Sequence, residues 1–264
     1  RPLRLGWLSS CSQFPSCRAV ERAVFETVEL LQKLGHEMVK MEVDISDMMW
    51  HTVYAFSAGS NSKAFMRVLK GEPPIEEYGI VLMKEKMPEG IVRAIGWLRN
   101  KDPDRFLKLI ECTDNDSLEE FIQSGDFVSK DKLFYEDLMI KHGLDGWVMP
   151  VAALPAYKHT HSTHLLLAST YSAFFNILAF PAVSFPVTFV KEDEQNYECE
   201  IDDAFTKIAQ QTMEGSIGIP IGVQIGLKPY REELLLHLLK QLEPYLPKVE
   251  YPISPVTHCN KSGS

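Results

Sequence analysis

The sequence predicts an α/β fold, and three stretches carry that expectation. The chain opens strand–helix–strand. An uncharged run from Leu165 to Val190 lies in its second half. Near its end an apolar, glycine-broken strand leads into a leucine-rich helix. A helix long enough to cross between two strands implies a βαβ unit, and hence a sheet with helices packed on it.

Taken in order, Leu3–Leu8 (LRLGWL) is a short apolar run with a strand's length. The stretch from Cys17 to His36 reads as a helix. Val20, Val24, Val28 and Leu31 recur at helical spacing, and Gly35 stands where a left-handed cap belongs. Glu37–Val43 alternates polar and apolar, as a second strand does. From about Ile45 to His142 the pattern is mainly helical. Asp145–Pro150 (DGWVMP) reads as a strand that ends in a loop carrying Pro155 and three histidines.

The run from Leu165 to Val190 is long enough to raise the question of a membrane span. Its scattered Ser, Thr and Asn residues, with Pro181 and Pro186, favour two buried elements instead: a helix from about His164 to Leu178 and a strand over Ala182–Thr188. That helix would present Leu165, Ser169, Ser172 or Ala173, and Asn176 along one side. Lys191–Phe205 is strongly acidic and reads as a solvated loop. Ile217–Leu227 is a strand. The closing helix has Pro229 at its start and Leu235, Leu238, Leu239 and Leu242 facing inward. Residues 251–264 read as a flexible tail.

Composition excludes some classes. The chain has 264 residues, 45% hydrophobic and 24% charged, with a net charge of −9. A nucleic-acid partner, which would require a basic surface, is not expected. Five widely spaced cysteines without a CxxC pair suggest reduced thiols rather than disulfides or zinc. Against the overall acidity, residues 79–111 are rich in basic side chains (Lys84, Lys86, Arg93, Arg99, Lys101, Arg105, Lys108) set among apolar clusters. An amphipathic helical hairpin with a basic face suits a membrane surface, and equally suits a hairpin packed on its own domain.

The candidate chemistry is sparse. His159, His161 and His164 share a loop, but they lack an HExxH helix or a carboxylate partner, so a polar loop at a pocket mouth is preferred to a metal site. Ser57–Lys63 (SAGSNSK) brings serines near a lysine, but within a helical stretch that has no turn to expose a nucleophile. No GxSxG, GxxxxGK[ST] or GxGxxG is present.

Three stretches together resemble the amidase signature family, specifically its C-terminal half: DGWVMPVAALPAY, FFNILAFPAVSFPVTFV and GSIGIPIGVQIGLKPYREELLLHLLKQLE. Within the family the resemblance is to the fatty-acid amide hydrolases, membrane-bound enzymes that cleave lipid amides such as anandamide and oleamide. It implies a mixed β-sheet core covered by helices over residues 1–250, with the amphipathic hairpin at 79–111 as a membrane-binding cap touching lipid through Ile91, Ile95, Trp97, Leu98, Phe106 and Ile110. It implies hydrolysis by a Ser–Ser–Lys triad with no cofactor. No triad motif occurs in this sequence, so the catalytic residues are expected upstream of Arg1. The acyl pocket is expected from Leu166, Ser169, Ala173 and Phe205. A membrane-associated, cytosol-facing protein of the endoplasmic reticulum follows from the resemblance, with a fatty acid amide as substrate; a homodimer remains open. The other reading is a catalytically silent lipid-binding or interaction protein of the same half-fold, and an isolated half-sheet would be expected to be poorly soluble or oligomeric.

Overall fold

A computed structural model describes residues 1–59, 72, 105–112 and 118–248. Among these, one five-stranded sheet contains β1 (Arg4–Trp7), β2 (Glu37–Lys40), β3 (Gly146–Pro150), β4 (Ala182–Phe189) and β5 (Pro220–Leu227), in the order β2-β1-β3-β5-β4. β2, β1 and β3 run parallel, and β5 is antiparallel to both β3 and β4. The sheet is therefore mixed, as expected. The helices are α1 (Arg18–Lys33), α2 (Ser46–Gly59), α3 (Arg105–Cys112), α4 (Leu118–His142), α5 (Ala173–Leu178), α6 (Ala204–Met213) and α7 (Glu232–Leu242).

The opening βαβ unit forms where its pattern places it. Val20, Val24, Val28 and Leu31 of α1 are buried. Gly35 adopts φ +91°, and the amides of Gly35 and His36 bond back to Gln32 O and Leu31 O. Helix termination by a left-handed glycine accounts for both bonds.

The two faces of the sheet can be told apart residue by residue, because successive strand side chains point to opposite sides. Trp7 meets Phe25 of α1 edge-on, with ring centroids 5.4 Å apart, so α1 covers that face. On the other face Gly6, Trp147 and Gly226 stand side by side across β1, β3 and β5. Trp147 is wholly buried and is packed edge-on by Phe174 at 5.3 Å and Tyr135 at 6.2 Å. A Cβ on Gly226 would fall 2.2 Å from the Phe175 ring, so α5 seats itself on bare backbone there.

The first part of the uncharged run differs from the helix expected over about His164–Leu178. Leu166–Ser172 forms 3-10 turns, α5 follows, and Ala179 at φ +53° ends it. The reason is the spacing of the buried residues. Leu165, Ala168, Tyr171 and Phe174 are all fully buried and step by three, which a period of 3.0 aligns and one of 3.6 does not. Leu165 therefore points inward and does not share a side with Ser169. β4 extends to Phe189, with an irregularity between Pro186 and Thr188; at the sheet edge the missing proline N–H is tolerated. No helix among the described residues is long and apolar enough to cross a membrane.

Two further expectations shift. The closing helix starts at Glu232, after Tyr230 takes φ +63°, so Pro229 precedes a turn and is not the first helical residue. Residues 79–104 of the expected hairpin, with Ile91, Ile95, Trp97 and Leu98, lie outside the described residues, as does the tail. Phe106 and Ile110 fall on α3, but their side chains are outside the description.

Gly226→Ala is expected to destabilise the protein by about 1–3 kcal/mol through overpacking, read as a lowered thermal midpoint. Gly222→Ala is the control: its added carbon meets only ordinary contacts at 3.5 Å, and the midpoint should hardly move.

Candidate binding cavity

Where β3 leaves the sheet, the chain surrounds a cavity of about 450 Å³. Its walls are Val20 of α1, the loop from Val151 to Tyr157, Ser169 of the 3-10 turns, Ser184 to Pro186 of β4, and Pro220 to Gly222 of β5. The loop is held on both sides by backbone bonds. Ala153 O accepts from Cys17 N, and Ala153 N donates to Ala168 O, both at 2.8 Å. Gln224, buried on β5, donates from Nε2 to Pro150 O (2.8 Å) and Tyr171 O (3.1 Å), so the end of the sheet is tied to the 3-10 turns. The Tyr171 hydroxyl in turn donates to Phe14 O at 2.7 Å and accepts from Cys11 N at 2.9 Å, which fixes the loop between β1 and α1.

Among the described residues the lining holds no carboxylate, amine or imidazole. Its polar side chains are Ser169, Ser184 and Tyr157, and Tyr157 Oη lies 2.8 Å from Ser169 Oγ. Burial pushes the Tyr157 phenol up, offset in part by the Ser169 bond, so it is neutral near pH 7. These walls can bind an apolar ligand but cannot by themselves move a proton at neutral pH.

Of the four residues expected in an acyl pocket, Ser169 lines the cavity. Leu166, half exposed, precedes it by three residues and so shares its edge of the 3-10 turns. Ala173 is partly buried at the start of α5. Neither Leu166 nor Ala173 is among the lining residues, nor is Phe205. It is buried on α6, its ring centroid 5.8 Å from the Arg105 guanidinium.

That guanidinium corrects two readings at once. Arg105 is fully buried and not part of an outer basic face: it donates to both Asp203 oxygens (2.7 and 2.6 Å), Thr206 Oγ1 (2.6 Å) and Gln13 O (3.0 Å), 4.6 Å from the Phe14 ring. The acidic stretch is likewise only partly solvated. Asp203 caps α6 by accepting from Thr206 N at 2.9 Å. Glu194, 5% exposed, takes two bonds from Arg22 at 2.6 and 2.8 Å. Buried acids separated from their arginines by about 100 residues or more leave no local sequence signal.

The three loop histidines do not converge. His161 Nδ1 is 2.6 Å from Thr212 Oγ1, while His159 and His164 are exposed. No group of three metal-ligating side chains occurs among the described residues. Cys11, Cys17, Cys112 and Cys199 form no disulfide among the described residues, and burial pushes Cys17 up to about 11, so it is no thiolate nucleophile at neutral pH. Most of the Ser57–Lys63 stretch lies outside the described residues.

The family model for amidases matches residues 1–236. The chain belongs to the amidase family. Two curated relatives of this amidase chain are a fatty acid amide hydrolase 1 from Caenorhabditis elegans, 27% identical over 249 residues, and one from Sus scrofa, 26% identical over 263 residues. Each alignment covers 92% of this chain and 43% of the relative, so the chain spans less than half the length of either. Among solved structures, a fatty acid amide hydrolase superposes with TM-score 0.62 at 16% identity, covering 91% of this chain and 39% of that one. A 6-aminohexanoate cyclic dimer hydrolase superposes with TM-score 0.54 at 17% identity, covering 94% and 46%. These likenesses establish the shared mixed-sheet fold.

The two ion pairs, Arg105–Asp203 buried and Arg22–Glu194 part-buried, carry an electrostatic consequence. The Arg22 bonds hold the Glu194 carboxyl below its ordinary value. For Asp203, burial raises the pKa, but the Arg105 bonds, the Thr206 amide and the Arg105 charge outweigh it and leave it lowered. A carboxyl with a depressed folded-state pKa adds stability above its unfolded value, near pH 4, and loses it as pH falls further. Asp203→Asn strands the buried Arg105 charge and is expected to cost about 3–5 kcal/mol, measured by denaturant titration at neutral pH. The gap from wild type should narrow as pH drops below about 4. The paired replacement R105M/D203L should recover much of the loss.

Proposed function

We propose that this amidase-family chain is the acyl-binding part of an enzyme that hydrolyses long-chain fatty acid amides, with a Ser–Ser–Lys triad contributed by sequence preceding Arg1. The observation that carries the proposal is the cavity itself: mainly apolar, lined among the described residues by no ionisable group beyond one neutral phenol, and within the roughly 300–1,000 Å³ range of ligand sites. The names of both curated relatives and of one structural neighbour, all fatty acid amide hydrolases, support the substrate class. A long acyl chain binds by apolar burial at about 0.8 kcal/mol per methylene, and such a wall suits it. In this reading the edge formed by Leu166 and Ser169 borders the acyl path, with Ala173 following at the start of α5, and residues 79–111 contact the membrane that delivers the lipid. Phe205 serves the Arg105–Asp203 core and not the wall.

The test is made on the full-length protein. Ser169→Trp fills the cavity and should remove the burial of at least two methylenes, cutting kcat/KM for a long-chain amide about tenfold or more relative to a short-chain amide. Equal losses at both chain lengths would sink the acyl-wall assignment. A serine-directed fluorophosphonate should label the full-length protein and not this chain alone; labelling of the chain alone would overturn the placement of the triad.

A further inference from the structure

An acyl wall has no need of the hydrogen-bonded hydroxyl pair that this cavity contains. Two hydroxyls that bond each other share one hydrogen; the second hydrogen and the remaining lone pairs stay available. Tyr157 Oη and Ser169 Oγ, 2.8 Å apart on the lining, are in that position. Among the described residues neither oxygen has another hydrogen-bond partner. Nor is the pair required as a fastener, because the Ala153 N to Ala168 O bond already joins the same two segments.

Unsubstituted hydrocarbon packed against the pair would leave a buried donor without an acceptor, and an unmet polar group is penalised more heavily than a met one is rewarded. A ligand hydroxyl, which both donates and accepts, removes the penalty. Resting on the fatty-amide reading above, we infer that Tyr157 and Ser169 form a polar subsite that selects acyl chains bearing an in-chain hydroxyl group. The preferred substrate class is then the amide of a hydroxylated long-chain fatty acid. Discrimination arises because a site built to bond a hydroxyl disfavours the analogue that lacks it.

The experiment compares kcat/KM of the full-length protein for two long-chain amides of equal length, one with a mid-chain hydroxyl and one without. Tyr157→Phe and Ser169→Ala should each lower the hydroxylated-to-plain ratio about fivefold, and Ser169→Thr, which keeps the hydroxyl, should retain it. An unchanged ratio in either Tyr157→Phe or Ser169→Ala would overturn the subsite. Calorimetric binding of the corresponding free fatty acids, hydroxylated and plain, to the same proteins reads the subsite without turnover. If wild type hydrolyses neither amide, the proposed activity falls while the binding ratio still judges the subsite. If it hydrolyses both and the binding ratio is the same in all variants, the subsite falls alone.

Discussion

Across the middle of the sheet Gly6, Trp147 and Gly226 lie in register, and much of the remaining geometry is set by that row. An indole flanked by two residues without side chains stands as a ridge between two troughs. Phe175 occupies the trough over Gly226, Phe174 packs on the indole, and Leu144 closes the trough over Gly6. Close packing of this kind leaves little freedom to slide, because core contacts tolerate shifts of only a methylene or so. The arrangement costs something: the Trp147 indole N–H has no partner among the described residues, a penalty of about 1–3 kcal/mol set against the burial of a large ring. With α5 pinned by its two phenylalanines, the 3-10 turns that precede it can lie only along the end of β3 and β5.

From there polar ties take over. Three segments meet at the end of the sheet, and each leaves backbone groups with no strand or helix to satisfy them. Gln224 reaches two of the carbonyls, the Tyr171 hydroxyl serves an amide and a carbonyl in the loop after β1, and Ala153 bonds on both sides. Irregular backbone can be buried only when it is paired in this way. The result is a frame around a void whose walls are tied to the sheet and to one another, the loop to the 3-10 turns by Ala153 and β4 to β5 by their ladder. The ion pairs of Arg22 with Glu194 and Arg105 with Asp203 do similar work farther out, holding the acidic stretch and α6 against α1 and α3.

What could be read from the residue order was whatever depends on neighbours in the chain. Helix α1, its glycine stop, strands β3 and β5, and the division of the uncharged run into helical turns and a strand all follow from spacing. The sort of turn did not: Leu165, Ala168, Tyr171 and Phe174 reveal a period of three only when the sheet beneath them is known. Arg105 was invisible for a related reason. Among the basic residues of an amphipathic stretch its code is the same as that of a solvated arginine, and its burial is decided by an aspartate 98 residues away. Ser169 was legible through family resemblance, whereas Tyr157, which completes the pair, carries no sequence signal beyond its place in the loop after β3.

The division between a wall that binds and residues that react has a physical rationale. Binding energy drawn from a part of the substrate that does not change bond order can be used to orient the part that does. Such a wall works best when it holds no groups of its own that compete for the amide, and the lining here, free of acids, amines and imidazoles among the described residues, meets that condition. A single hydroxyl pair is compatible with it, because a neutral phenol and a serine can recognise an oxygen in a chain without attacking a carbonyl. On the proposed reading, the chain's contribution to catalysis is therefore selective burial: apolar area supplies the affinity, and one hydrogen-bonding position decides which of several equally long chains receives it.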